Sequence, residues 1–212
     1  MLLNALLDAL FRGSSTSRRA RRVIEHGERV TARIDAIRVN DRADSPDRWE
    51  YGLAVGTSRV GVRQWLQPAR HVAHLGAEVV LLHFGDDWLI DWPASLAAAG
   101  VTAEGAAHHA TGDWKTLGDP PAPGVRDGRL DATRKKLAGA TATTARLRSA
   151  ERSEGWSGLS DKWRLVLSAD GREVTMEEAV PAYSLHLLEA GRALPAAWSG
   201  ERLIIDWEGA SD

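Results

Sequence analysis

The sequence predicts a mainly β fold built as two tandem small five-stranded β-barrels, each preceded by a short helix. Three observations carry this expectation. The chain spells one ending twice, "WLIDW" at 88–92 and "LIIDWEG" at 203–209, with Trp92 and Trp207 standing 115 positions apart. Apolar side chains alternate with polar ones at matching places upstream, the period-two mark of half-buried strands. Glycines and prolines punctuate both stretches in the same order.

The match extends over most of each copy. An offset of 115 also pairs Gly76 with Gly191 and Gly85 with Gly200; Trp49 meets Trp163 at 114, "TARI" at Thr31 meets "TARL" at Thr144 at 113, and Gly27 meets Gly139 at 112. A drift of three residues is what small loop insertions leave in a duplicated unit. Two copies are too few for a solenoid, so the pattern implies two linked domains or one pseudo-symmetric pair.

Each copy repeats one local plan. "RRARRVIEHG" and "DATRKKLAG" read as short helices ended by Gly27 and Gly139, where glycine takes a left-handed conformation at little cost. A first strand carries Val30, Ala32 and Ile34 on one face, mirrored by Thr143, Ala145 and Leu147. The second alternates Trp49, Tyr51, Leu53 and Val55 against Trp163, Leu165, Leu167 and Ala169. After tight turns at "VGTSR" and "ADGRE", a third strand ends at Pro68 or Pro181. A short helical link and a hairpin around "FGDD" or "SGER" complete the unit. Such an order in about 65 residues suits a small barrel of the OB or SH3 kind, in which closure removes exposed sheet edges. The repeated tryptophans, Trp49, Trp163, Trp92 and Trp207, then plug the barrel ends. The expected division is an N-terminal helical segment over 1–26, a first barrel over 27–93, a Pro- and Gly-rich linker over 94–126 and a second barrel over 127–212.

Composition excludes several function classes. Lys plus Arg number 27 against 29 Asp plus Glu, so no global field recruits nucleic acid. Without cysteine there is neither a disulfide framework nor a thiolate nucleophile, which agrees with a reducing cytoplasm. The opening "MLLNALLDALF" lacks the leading charge and small-residue cleavage site of a signal peptide, and no stretch approaches the roughly 20 apolar residues of a membrane span.

The second copy's run of "xARL", "WxLxL", "DGRxVTxEEAVP", "LLxAG" and "IIDW" resembles a family of uncharacterised actinobacterial proteins that carry a small β-domain, often beside a membrane segment. The first copy is looser, with "VGVRQWLQP" in place of "VTMEEAVP". The resemblance implies a β-domain and brings no activity or site residue with it. Lacking a spanning segment, this chain departs from the membrane-attached members.

Candidate chemistry is sparse. His71 and His74 in "HVAH" have ligand spacing but no third partner, and "HHATGD" at 108–113 falls in the linker, so neither metal nor cofactor is expected. Asp91 and Asp206 recur in both copies but belong to different barrels, which separates them as an acid–base pair. Glu50, Glu173, Glu177 and Glu178 interrupt any phosphate track, so nucleic acid is an unfavoured partner. What remains is a non-enzymatic interaction or scaffold protein. Its partner-binding residues are expected in the N-terminal segment: Leu3, Leu7, Leu10 and Phe11 on one helical face, with Arg18, Arg19 and Arg22 following. A protein partner is the first expectation; the alternative is attachment through the N-terminal arginines to an anionic membrane surface, where each arginine near the headgroups adds about 1 kcal/mol, or to nucleic acid, and the last is an enzyme with an unfamiliar site.

Overall fold

In a computed structural model, residues 15–39, 49–64, 72–101, 114–157 and 160–211 are described. The chain divides into two compact units, residues 1–38 with 47–123 and residues 39–46 with 124–212. Each is a nearly closed, barrel-like β-sheet preceded by a short helix.

The first unit runs α1 (Ser15–His26), β1 (Glu28–Val39), β2 (Trp49–Val55), β3 (Ser58–Gln64), β4 (Glu78–Phe84), β5 (Asp87–Ile90), α2 (Trp92–Ala98) and β6 (Lys115–Leu117). Its strands lie in the order β5-β4-β1-β2-β3-β6. The second unit contains β7 (Gly124–Asp127), a 3₁₀ turn (Gly128–Leu130), α3 (Asp131–Ala138), β8 (Thr141–Ser157), β9 (Ser160–Ala169) and β10 (Arg172–Ala179). A 3₁₀ segment (Ala182–Leu187), β11 (Ala193–Ser199), β12 (Arg202–Ile205) and α4 (Trp207–Ser211) complete it. Its five-stranded sheet is ordered β10-β9-β8-β11-β12, the order of the first unit with β6 removed.

The registers agree as well as the order. Thr31 opposes Val80 as Thr144 opposes Pro195, Trp49 opposes Gln64 as Trp163 opposes Glu178, and Leu81 opposes Ile90 as Ala196 opposes Ile205. Irregular backbone bonds repeat too: the Gly76 N–H donates to the Ile34 carbonyl at 2.8 Å and the Gly191 N–H to the Leu147 carbonyl at 2.7 Å. A one-residue slip would turn every core side chain outward, so this coincidence fixes the two units as one design.

The interiors follow the alternation. Ala32, Ile34, Tyr51, Leu53, Val62 and Leu81 are buried in the first unit, and Ala145, Leu147, Leu165, Leu167, Leu203 and Ile205 in the second. Each large aliphatic side chain so placed is worth roughly 1.5–3 kcal/mol of transfer free energy. Trp49, Trp92 and Trp207 are buried; Trp92 meets the Tyr51 ring edge-on at 5.4 Å. Trp92 and Trp207 open the short helices α2 and α4 rather than ending strands. Trp163 departs from expectation and is only half-buried against the core of its unit.

Two further expectations need correction. Neither Gly27 nor Gly139 is among the residues of positive φ. Gly27 is required by close approach instead, since a Cβ there would lie 2.3 Å from the Val23 carbonyl oxygen. The Pro- and Gly-rich part of the stretch expected as a linker supplies strand β6 and the start of β7, and Pro121 accepts a 2.8 Å hydrogen bond from Arg59 Nη2. Gly61 makes that docking possible: a Cβ on it would meet the Leu117 Cβ and the Pro120 Cα, each at 2.9 Å.

Candidate functional site

The carboxylates that recur in both units cap helices. Asp91 Oδ1 accepts from the Ala94 N–H at 3.1 Å, and Asp206 Oδ1 accepts from the Gly209 N–H at 3.0 Å, the same interaction 115 residues on. A helix start leaves N–H groups without intrahelical partners, and a short carboxylate side chain satisfies one of them. Asp91 is buried and also receives Arg29 at 3.4 Å, whereas Asp206 is half-exposed.

The gap between the terminal strands is bridged differently in the two units. In the first, the buried Gln64 on β3 donates from Nε2 to the Ile90 carbonyl at 2.8 Å and accepts the Ile90 N–H at 2.9 Å, so its amide imitates a strand. Strand β6 adds a second bridge: Thr116 Oγ1 accepts the Trp88 N–H at 2.8 Å, and Trp114 Nε1 donates to the Trp88 carbonyl at 3.1 Å. In the second unit Glu178 occupies the position of Gln64 and accepts from Trp207 Nε1 at 3.4 Å. Burial holds its carboxyl above the ordinary range, against the opposing hydrogen bond from Trp207 and the charge of Arg202.

β6 pairs antiparallel with β3 through Gly61–Leu117, Val62–Thr116 and Arg63–Lys115. The corresponding positions on β10 are Thr175, Met176 and Glu177, and among the described residues no strand pairs with that edge. Ala169 and Arg172 flank the two-residue Asp170–Gly171 turn, so they form a hydrogen-bonded pair. By alternation Val174, Met176 and Glu178 bond to β9, while Glu173, Thr175 and Glu177 direct their N–H and C=O groups to the open side. All three of the latter residues are exposed.

Elsewhere on the second unit an open groove of about 620 Å³ is lined by Thr144, Arg146, Arg148, Asp170, Arg172 and Glu173. Asp170, at φ 49°, accepts from Trp198 Nε1 at 2.8 Å and Thr143 Oγ1 at 2.9 Å, and these bonds hold its carboxyl below the usual range. The Arg172 guanidinium lies 5.7 Å from the Trp198 ring centroid. Inside the same unit Asp127 binds Arg129 Nε at 2.8 Å and accepts from the Tyr183 hydroxyl at 3.3 Å. Burial first, and then the Asp127 charge, push the Tyr183 hydroxyl far up, which keeps it a hydrogen-bond donor. Glu208 receives the Asp127 N–H at 2.7 Å and Arg134 Nη2 at 2.8 Å, tying α4 to the start of the unit.

The residues expected to bind a partner are divided by the structure. Leu3, Leu7, Leu10 and Phe11 lie outside the described residues, as do His71 and His108. Helix α1 packs on its own barrel through Ala20 and Val23, both fully buried. Arg19 is spent on Asp87, with Nε 3.1 Å from Oδ2, while Arg18 and Arg22 are exposed. Among the described residues no group of three His, Asp or Glu converges as a metal site would require, and no helix is long and apolar enough to cross a membrane. The β10 edge was missed in the sequence because its signal is relational: it emerges only when β6 is seen on the equivalent strand. Comparison with family models, curated proteins and solved structures returned no match for this chain.

Proposed function

We propose that the protein is a non-enzymatic tandem-barrel scaffold that holds a protein partner. One observation supports this above others: the first barrel covers its β3 edge with its own β6, while the equivalent edge, β10 of the second barrel, pairs with no strand among the described residues. An uncovered row of N–H and C=O groups is a template for another chain, and proteins that keep one in the folded state commonly use it for recognition. The capping roles of Asp91 and Asp206 fit the same reading, since the carboxylates shared by the copies serve the fold.

A second reading, attachment to an anionic membrane or to nucleic acid through the N-terminal arginines, draws support from the exposure of Arg18 and Arg22 and is weakened by the engagement of Arg19 with Asp87. A cytoplasmic setting and kinship with the actinobacterial β-domain proteins belong to the same proposal. The test is affinity capture of the tagged full chain followed by mass spectrometry and reconstitution with the purified candidate. A stoichiometric protein complex is expected; retention of lipid vesicles or nucleic acid in place of any protein would overturn the reading.

A further inference from the structure

We infer that the β10 edge takes an extended, cationic strand of the partner protein, added antiparallel at the register that β6 adopts on β3. This rests on the partner-binding reading above and specifies its chemistry. The template is the chain's own: Lys115 opposes Arg63 and Leu117 opposes Gly61 in the first barrel. At the same register an incoming strand would set its residues against Glu177, Thr175 and, two further on, Glu173, whose backbone groups face outward by the alternation of the antiparallel ladder.

The charges then select the ligand. In the first barrel β3 presents Arg63, whose Nε lies 3.1 Å from Glu50 Oε1, so Lys115 opposes a cation already paired within the sheet and β6 supplies the register, not the charge rule. In the second the signs on the first two strands are exchanged: Arg164 on β9 opposes Glu177 on β10. A cation opposite Glu177 extends the alternation, and a second cation four residues along meets Glu173. Opposite charges directly across a sheet stabilise and like charges oppose. The same row disfavours a second copy of this chain, because antiparallel pairing of two β10 edges would bring glutamates together. The site is an open strand edge, so the ligand is read mainly by main-chain hydrogen bonds and by alternate side chains.

The full-length protein is titrated into a fluorescent peptide comprising residues 113–118 followed by lysine, which places Lys115 opposite Glu177 and the added lysine opposite Glu173. Saturable binding is expected. Thr175→Pro removes an outward N–H without touching the β9 ladder and should weaken binding about tenfold, as should Glu177→Lys. On the Glu177→Lys protein, the peptide with Lys115→Glu should regain most of the lost affinity, so the inference stays testable even if the proline variant folds poorly. No saturable binding, or binding indifferent to both substitutions, overturns the strand-edge assignment and leaves the partner reading to the capture experiment. A dimer of the free protein that Thr175→Pro dissolves would give the edge to self-pairing and overturn it as well.

Discussion

The Gln64 side chain and the backbone of Ile90 exchange two hydrogen bonds, at 2.8 and 2.9 Å, across the gap between β3 and β5. A single amide thus does what a strand pair would do, and it does so fully buried. Truncation would leave the Ile90 N–H and C=O without those partners in a dry interior. Gln64→Ala should therefore cost about 2–4 kcal/mol, read from chemical denaturation of the full chain. An unchanged midpoint would show that the bridge is incidental.

Glu178 holds the same position in the second barrel, and its chemistry makes the opposite prediction. Its carboxyl titrates above the ordinary 4.5 because burial disfavours the charged form. The protonated group is the one the fold prefers, so this contribution is complete below about pH 4.5 and is lost as pH rises through the raised value. Glu178→Gln keeps a neutral amide at every pH and should stabilise the protein near neutrality, with the advantage shrinking on acidification. A stability difference that grows toward low pH would contradict this.

The tryptophans differ in burial and so in cost. Trp49→Ala should lose about 3–5 kcal/mol, as large-to-small changes in a packed core do. Trp163→Ala should lose distinctly less, because its ring is only half-buried. Equal losses in equilibrium unfolding would mean that the two barrels pack these rings alike.

Helix α1 buries Ala20 and Val23 against its own sheet, so removal of residues 1–26 should lower the melting temperature of the first unit. Charge reversal at the exposed Arg18 and Arg22 should not. Vesicle co-sedimentation of the double reversal variant tests the membrane alternative: unaltered binding to anionic lipid would remove these arginines from it.

What could be read from the sequence was whatever repeats or alternates. The in-phase Trp49, Tyr51, Leu53 and Trp163, Leu165, Leu167 located the second strand of each barrel, and the drift of offsets ordered the rest. Strand β6 escaped because three residues carry no period and its neighbours Gly118, Pro120 and Pro121 signal a loop. It forms because Gly61 lacks a side chain and because Thr116 reaches the backbone of Trp88, both tertiary facts. Gln64 and Glu178 gave no signal either, since a polar residue at a strand end is ordinarily exposed. Placing the partner-binding residues in the N-terminal segment rested on charge and apolar patterning, and α1 spends part of that pattern on its own barrel.

Residue-resolved amide hydrogen exchange on the isolated full-length protein tests most directly that one barrel edge is covered from within and its counterpart is open. The N–H groups of Gly61 and Arg63, which face β6, should be protected, as should those of Val174 and Met176, which face β9. Those of Thr175 and Glu177 should exchange close to the rate of unstructured chain. Protection at Thr175 and Glu177 equal to that at Gly61 and Arg63 would contradict the account.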